Sequence, residues 1–270
     1  MEISIVIPTF NNLKYLKFLI SSIKNNSKYL HEIIIHINDG SDGTLKYIED
    51  EKIKFTHSTE NIGLCDSVNN AVKKSSKKYI LYAHDDMYFC KNWDLYVKNE
   101  IKKFKNNLFY ISGTNVSKTD GLINYDCGSM PEEFDVNKFE KLCDKDNSED
   151  LQGSHWAPHL IHRELWDKVG GFDTRFSPGD GSDPDLCCKL WFQENVRIFK
   201  SISFFKVYHF GSVTIRKNKL KKNNGTKLFL LKWGFNPRFF RKYYLRGNKI
   251  KIFDGSLKQP KLSIVMIYDL

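Results

Sequence analysis

The sequence predicts an α/β protein: a mainly parallel sheet flanked by helices, followed by a basic, helical extension. Three observations carry this expectation. Short apolar runs alternate with amphipathic stretches as far as Gly113, the pattern of successive βαβ units. One run, Tyr79-Ile80-Leu81-Tyr82-Ala83, is apolar almost throughout, as a strand covered on both faces is. The charge is also divided. Val213–Lys261 holds 15 Lys and Arg against one acid, Asp254, whereas residues 1–212 hold 27 basic groups against 30 acids. This places a boundary near 212, with a body over 1–212 and an aromatic-rich extension over 213–270.

The elements follow in order. Ser4–Ile7 is a strand and Asn12–Asn25, with Leu13, Leu16, Phe18, Leu19 and Ile23, a helix. Glu32–Ile37 is a buried strand, Thr44–Asp50 a short helix and Ile53–His57 a third strand. Asn61 is expected to cap a helix running to Lys74, since Leu64, Val68 and Val72 recur every four residues. Lys78–Ala83 is the central strand, Trp93–Phe104 a helix and Phe109–Gly113 a strand. Ser117–Glu149 is polar and irregular and is expected to form a long, mobile insertion. Regular structure resumes at Trp156–His162, then a helix over Arg163–Val169, a break at Gly170-Gly171, a helix over Asp183–Asn195 and a strand over Arg197–Tyr208. Helices at Thr226–Trp233 and Arg238–Leu245 flank Pro237. Lys261–Met266 echoes the opening strand, either as a closing strand or as the start of a further domain.

Composition excludes several classes. Hydrophobic residues at 41% and charged residues at 27% are ordinary globular proportions, so a disordered or collagen-like chain is excluded. With a mean hydropathy of −0.47, no apolar run approaches the roughly 18 residues that a membrane-spanning helix requires. Ile3–Ile7 reads as a strand with no basic segment before it, so no secretory leader is expected and a cytoplasmic location is. The six cysteines lack any CxxC spacing, and buried free thiols are expected rather than zinc or disulfides.

Three loops follow predicted strands, where ligands of open α/β sheets gather. They are Pro8-Thr9-Phe10-Asn11-Asn12, Asn38-Asp39-Gly40-Ser41-Asp42-Gly43-Thr44 and His84-Asp85-Asp86-Met87. Adjacent carboxylates at the end of a buried strand repel unless a cation or a hydrogen-bonding ligand is present. Oxygen donors of that kind suit Mg²⁺ or Mn²⁺ bridging to phosphates.

The order and spacing of these segments resemble the family 2 glycosyltransferases, which have the GT-A nucleotide-sugar fold. The matching residues are Ser4–Asn11, Ile35–Thr44, Asn61-Ile62-Gly63, Tyr79–Asp86, Gly170-Gly171-Phe172-Asp173, Ser182-Asp183-Pro184-Asp185-Leu186 and Val207–Ser212. The resemblance implies that Pro8, Thr9, Asp39 and Asn61 line the nucleoside pocket, that Asp85 binds the ribose, and that Asp86 and His209 hold the metal, Mn²⁺ or Mg²⁺. Asp183 matches the general base of this inverting family, which draws the proton from an acceptor hydroxyl. Trp156, with His155 and His159, falls in the stretch that shapes the acceptor side. Two residues depart from the family pattern: Ala83 stands where an Asp is common, and Ser182 where a Glu is. The activity implied is metal-dependent, inverting transfer of a sugar from a nucleotide-diphosphate donor, UDP-linked for preference, to a hydroxyl of a glycan or lipid-linked acceptor. The alternative is a nucleotide-binding scaffold without catalysis, docking through its basic tail. That tail, with Phe229, Trp233, Phe239 and Tyr243 among its cations, suits either packing on the body or contact with an anionic membrane surface. Nucleic acid ranks last, because no recognition motif accompanies the charge.

Overall fold

The computed structural model describes residues 3–144, 149–211, 223–246 and 252–260. The echo of the first strand at 261–266, Ser212, and the first ten residues of the predicted extension lie outside them. A mixed sheet runs through the molecule in the order β3-β2-β1-β4-β9-β6-β10-β5. Its first half is the expected parallel array: β1 (Ile3–Phe10), β2 (Glu32–Asn38), β3 (Lys54–Ser58) and β4 (Tyr79–Tyr82). These strands alternate with helices α1 (Leu13–Asn26), α2 (Thr44–Asp50) and α3 (Leu64–Lys74). Ile5, Ile7, Ile34, Ile35 and Leu81 are wholly buried, as strands covered by helices require.

Beyond β4 the sheet departs from parallel order. β9 (His159–His162) inserts antiparallel between β4 and β6 (Phe109–Ser117), and β6 pairs parallel with β10 (Ile198–His209). The end of β10 then turns antiparallel onto β5 (Met87–Phe89), a strand absent from the sequence expectation. Helix α4 (Trp93–Ile101) follows β5, α6 (Arg163–Val169) follows β9, and α7 (Ser182–Gln193) precedes β10. The two-residue strands β7 (Ile123–Asn124) and β8 (Leu151–Gln152) lie off the main path.

Asn61 does not cap α3. The helix starts at Leu64 after Gly63, while the Asn61 side chain accepts a bond from the Gly63 amide (3.0 Å) in a tight turn ahead of it. Gly63 has φ +84°, and a Cβ there would come within 2.8 Å of Ser177 Cβ, so only glycine fits.

The insertion is also more ordered than expected. It carries α5 (Val136–Cys143), whose N-cap Asp135 accepts from the Lys138 amide (2.9 Å). Phe134 before the cap and Phe139 in the first turn have ring centroids 5.7 Å apart, a hydrophobic staple across the helix start. Both rings pack on Tyr208 of β10, so two aromatics anchor a stretch whose average polarity suggested a loose loop. Phe139 is fully buried. Phe139→Ala is expected to lower unfolding free energy by about 3–5 kcal/mol in urea titration, whereas an undocked loop would show almost no change.

In the extension, α8 (Gly225–Trp233) is followed by a helical turn, Pro237–Phe239, and a π-helical turn, Phe240–Tyr244. Its aromatics largely face the body. Phe229, Phe240 and Tyr244 are buried, and Tyr244 packs against Trp191 and Phe192 of α7. All six cysteines are free thiols, five of them buried. Among the described residues no helix is long and apolar enough to cross a membrane.

Candidate active site

The parallel pairing of β1 with β2 and β4 aligns three strand ends. Val6 stands opposite Tyr82, so Thr9 and Asp85 each lie three residues further on, and the Thr9 hydroxyl donates to Asp85 Oδ2 at 2.7 Å. Phe10 stands opposite Asn38, which places Asn11 beside Asp39. Asn11 and Asp39 both take left-handed backbone angles (φ 46° and 60°), which short polar side chains tolerate. The Asn11 amide donates to Asp39 Oδ2 (2.8 Å) and accepts from the Gly40 amide (2.9 Å). Asn11 and the Ser41 hydroxyl hold the Asp39 carboxyl below the usual carboxylate range. Pro8 lies half-buried opposite His36. Asn61 joins this wall through its own turn, next to Ile62, whose amide donates to Asn38 Oδ1 (2.9 Å).

His209 reaches the same end of the sheet because of the short strand β5. It pairs with Met87, one residue past Asp86, and the amide of Phe210 donates to the Asp86 carbonyl. His209 Nε2 lies 3.0 Å from Asp86 Oδ1, and His84 Nδ1 lies 3.3 Å from His209 Nε2. One donor atom each from His84, Asp86 and His209 falls within a span of 4.8 Å. Sequence reasoning paired Asp86 with His209 but gave His84 no part; its only signal was its place ahead of the two aspartates. Burial, together with His209 beside it, holds His84 down to about 4, so its ring is neutral and can offer a lone pair to a cation. Two imidazoles and one carboxylate fit a divalent transition-metal ion better than Mg²⁺.

Asp183 lies in the first turn of α7. Its Oδ1 is shielded from solvent and makes no hydrogen bond among the described residues, and burial pushes its carboxyl up to about 7. Its charge is felt by Tyr82 on β4 and Tyr110 on β6, both of which burial raises well above their ordinary range. Tyr82 Oη and both ring nitrogens of His159, directly opposite Tyr82 on β9, are likewise buried without hydrogen bonds among the described residues.

The other carboxylates of this turn are occupied. Asp180 accepts from the Gly225 amide (3.1 Å). Asp185, also in the first turn of α7, is held from outside its own helix. Its oxygens accept from Lys232 Nζ (2.7 Å) and Trp233 Nε1 (2.7 Å). Trp156 is half-buried and tied to β6, its indole donating to the Gly113 carbonyl (3.0 Å) and one edge lying against His155.

Known structures share this architecture. TarS from S. aureus, in a crystal structure of residues 1–349, superposes with a TM-score of 0.58 at 14% identity, over 77% of this chain and 60% of that one. The same protein has been solved with UDP and with UDP-GlcNAc. GalNAc-T7, solved with UDP, GalNAc and Mn²⁺, superposes with a TM-score of 0.60 at 18% identity, over 83% of this chain and 45% of that one. The fold is therefore that of the GT-A glycosyltransferases. By sequence the chain belongs to glycosyl transferase family 2, whose profile matches residues 4–166. A curated relative, an uncharacterized glycosyltransferase of Rickettsia bellii (strain RML369-C), is 30% identical over 125 residues. That match spans 44% of this chain but 17% of the relative, so the chain corresponds to a small part of it.

Proposed function

We propose that the chain transfers a sugar, with inversion, from a UDP-linked donor to a hydroxyl of a glycan or lipid-linked acceptor. The meeting of His84, Asp86 and His209 beside Asp85 carries this reading, because a diphosphate leaving group needs a cation at the strand ends where a nucleotide lies. TarS with UDP and UDP-GlcNAc, and GalNAc-T7 with UDP and Mn²⁺, support UDP as the nucleotide and Mn²⁺ as the ion. In the proposed site Asp39 receives a hydrogen bond from the base, with Pro8, Thr9 and Asn61 lining the nucleoside pocket. Asp85, braced by Thr9, takes the ribose hydroxyls. Asp86, His84 and His209 hold the metal, which when bound supplies positive charge for the departing diphosphate. Trp156 offers an aromatic face to the acceptor sugar.

Asp183 takes the acceptor proton as the hydroxyl oxygen attacks the anomeric carbon. One base and one leaving group held on the far side give a single displacement, hence inversion, with no need for a second carboxylate as nucleophile. The residues given these roles all lie within 1–212, with the extension 213–270 following them. We place the chain in the cytoplasm, where the exposed Leu230 and Leu231 of an extension that also exposes Lys227, Arg238 and Lys242 suit contact with an anionic membrane.

Thermal unfolding with UDP, GDP, CDP and dTDP, each with and without Mn²⁺, tests the donor site. UDP at 100 Kd should stabilise the chain by about 2.7 kcal/mol, and only with metal present. If no nucleotide raises Tm, the donor site fails, and the sugar-transfer reading and the nucleotide-binding scaffold fall together; a metal-dependent shift with UDP but no turnover of UDP-GlcNAc favours the scaffold.

A further inference from the structure

Asp183 Oδ1 makes no hydrogen bond among the described residues, so the backbone on either side has to aim it. The chain on either side is held by the basic extension, through α8 and Asn223 just ahead of it, at the residue three positions before Asp183 and the residue two positions after it. Upstream, Asp180 exchanges two bonds with the Asn223 side chain, N–H to Oδ1 and Nδ2 to the carbonyl, each 3.1 Å. Asp180 Oδ2 also accepts from the Gly225 amide, the first residue of α8. Downstream, the fully buried Asp185 accepts from Lys232 and Trp233, the last two residues of α8, and Lys232 reaches Asp173 as well (2.8 Å). Nine residues of helix thus close on both flanks of Asp183. The fit at the upstream end leaves no room: a Cβ on Gly225 would stand 2.0 Å from the Asp180 carbonyl oxygen and 2.8 Å from Asp180 Oδ2.

We propose that α8 is a positioning element of the transfer site, in which Gly225, Lys232 and Trp233 clamp Asp180 and Asp185 and so fix the direction of the Asp183 carboxyl and keep water from it. The inference rests on the reading of Asp183 as the base, and it makes the basic extension part of the machinery of transfer. Lys232, Trp233, Gly225 and Asp185 act through Asp183 and are positioning residues. A reacting group displaced by about an ångström can lose on the order of 10²-fold in rate.

Gly225→Ala pushes the upstream end apart, and Trp233→Phe removes one donor from the downstream end with little change of shape. In the full chain the Asp183 carboxyl is titrated by ¹³C NMR, and hydrolysis of UDP-GlcNAc with Mn²⁺ is followed alongside. Among the described residues Tyr82, Tyr110, Cys65 and Cys187 are the titratable groups that feel the charge of Asp183, and neither substitution alters them. In both variants the Asp183 midpoint is expected to fall from about 7 by at least one unit, with kcat down roughly 10- to 100-fold and the Kd for UDP changed by less than about twofold. A clamp that only braces the fold would lower Tm and leave the midpoint and kcat at wild-type values, and that result overturns the proposal. Failure of the underlying reading looks different: Asp183 titrating in the ordinary carboxylate range in the wild type, or Asp183→Asn hydrolysing donor at the wild-type rate, removes the base and the clamp together.

Discussion

Asp183→Asn is expected to slow sugar transfer by about 10²–10⁴-fold while UDP binds as before. The isosteric amide keeps the shape of the α7 turn but has no site for the acceptor proton. The wild-type enzyme should report this group in its pH profile. Burial holds the carboxyl up to about 7, and a base works only when ionised, so kcat should rise with pH through that value and level off above it. The same burial has a stability consequence with a definite sign. The folded carboxyl binds its proton more tightly than the unfolded one, whose ordinary value is about 3.9. Between those two values the folded state holds more protons, so stability falls as pH rises from about 4 to about 7. The amide introduced by Asp183→Asn carries no charge to bury. The variant should therefore unfold at a higher temperature than the wild type at pH 8, and the two should converge near pH 4. An inactive variant that is also less stable at pH 8 would point to damage of the turn instead.

Asp86→Ala should lower transfer by roughly 10²–10³-fold, the scale of losing a major source of charge stabilisation at a leaving group. The diagnostic outcome is in binding. UDP with Mn²⁺ should no longer raise Tm above UDP alone, because only the imidazoles of His84 and His209 would remain, with no carboxylate to offset the charge of the ion. Isothermal titration with Mn²⁺ in the presence of UDP checks the same point. Retained metal-dependent stabilisation would move the ion to other ligands.

Much of this was legible in the chain, for local reasons. β1, β2 and β4 are runs of Ile, Val, Leu and Tyr, and α1 and α3 carry regular apolar spacing, so each announces itself without reference to the rest. Asp85, Asp86 and Asp39 stand just past such runs, where a parallel sheet gathers its ligands. What escaped depends on distant pairing. β5 is three residues long and exists only because β10 returns to it, so neither β5 nor the proximity of His84 to His209 could be read from local pattern. The antiparallel entry of β9 leaves no mark in His159–His162, since a buried strand looks alike in either direction. Asp135 between Phe134 and Phe139 did carry a local signal, the staple around a capped start, but the polar residues around it masked it. Asp185 followed the usual preference for acids at a helix start, while its actual partners, Lys232 and Trp233, come from 47 and 48 residues away.

The pairing of β5 with the last residues of β10 also sets an order of events during folding. His84 and His209 are separated by 125 positions, so the cluster is assembled from residues far apart in the chain. The block from β1 to β4, with its short connections, can gather early, whereas closing so long a loop is entropically slower. The strand that delivers His209 is made after β5 and β6 and must pair with both before the cluster exists. A nascent or truncated chain ending before β10 would hold Asp39, Asp85 and Thr9 and yet lack a complete cation cluster. In the proposed function, metal affinity is in this sense a checkpoint: the charge for the leaving group becomes available only once β10 has paired with β5 and β6.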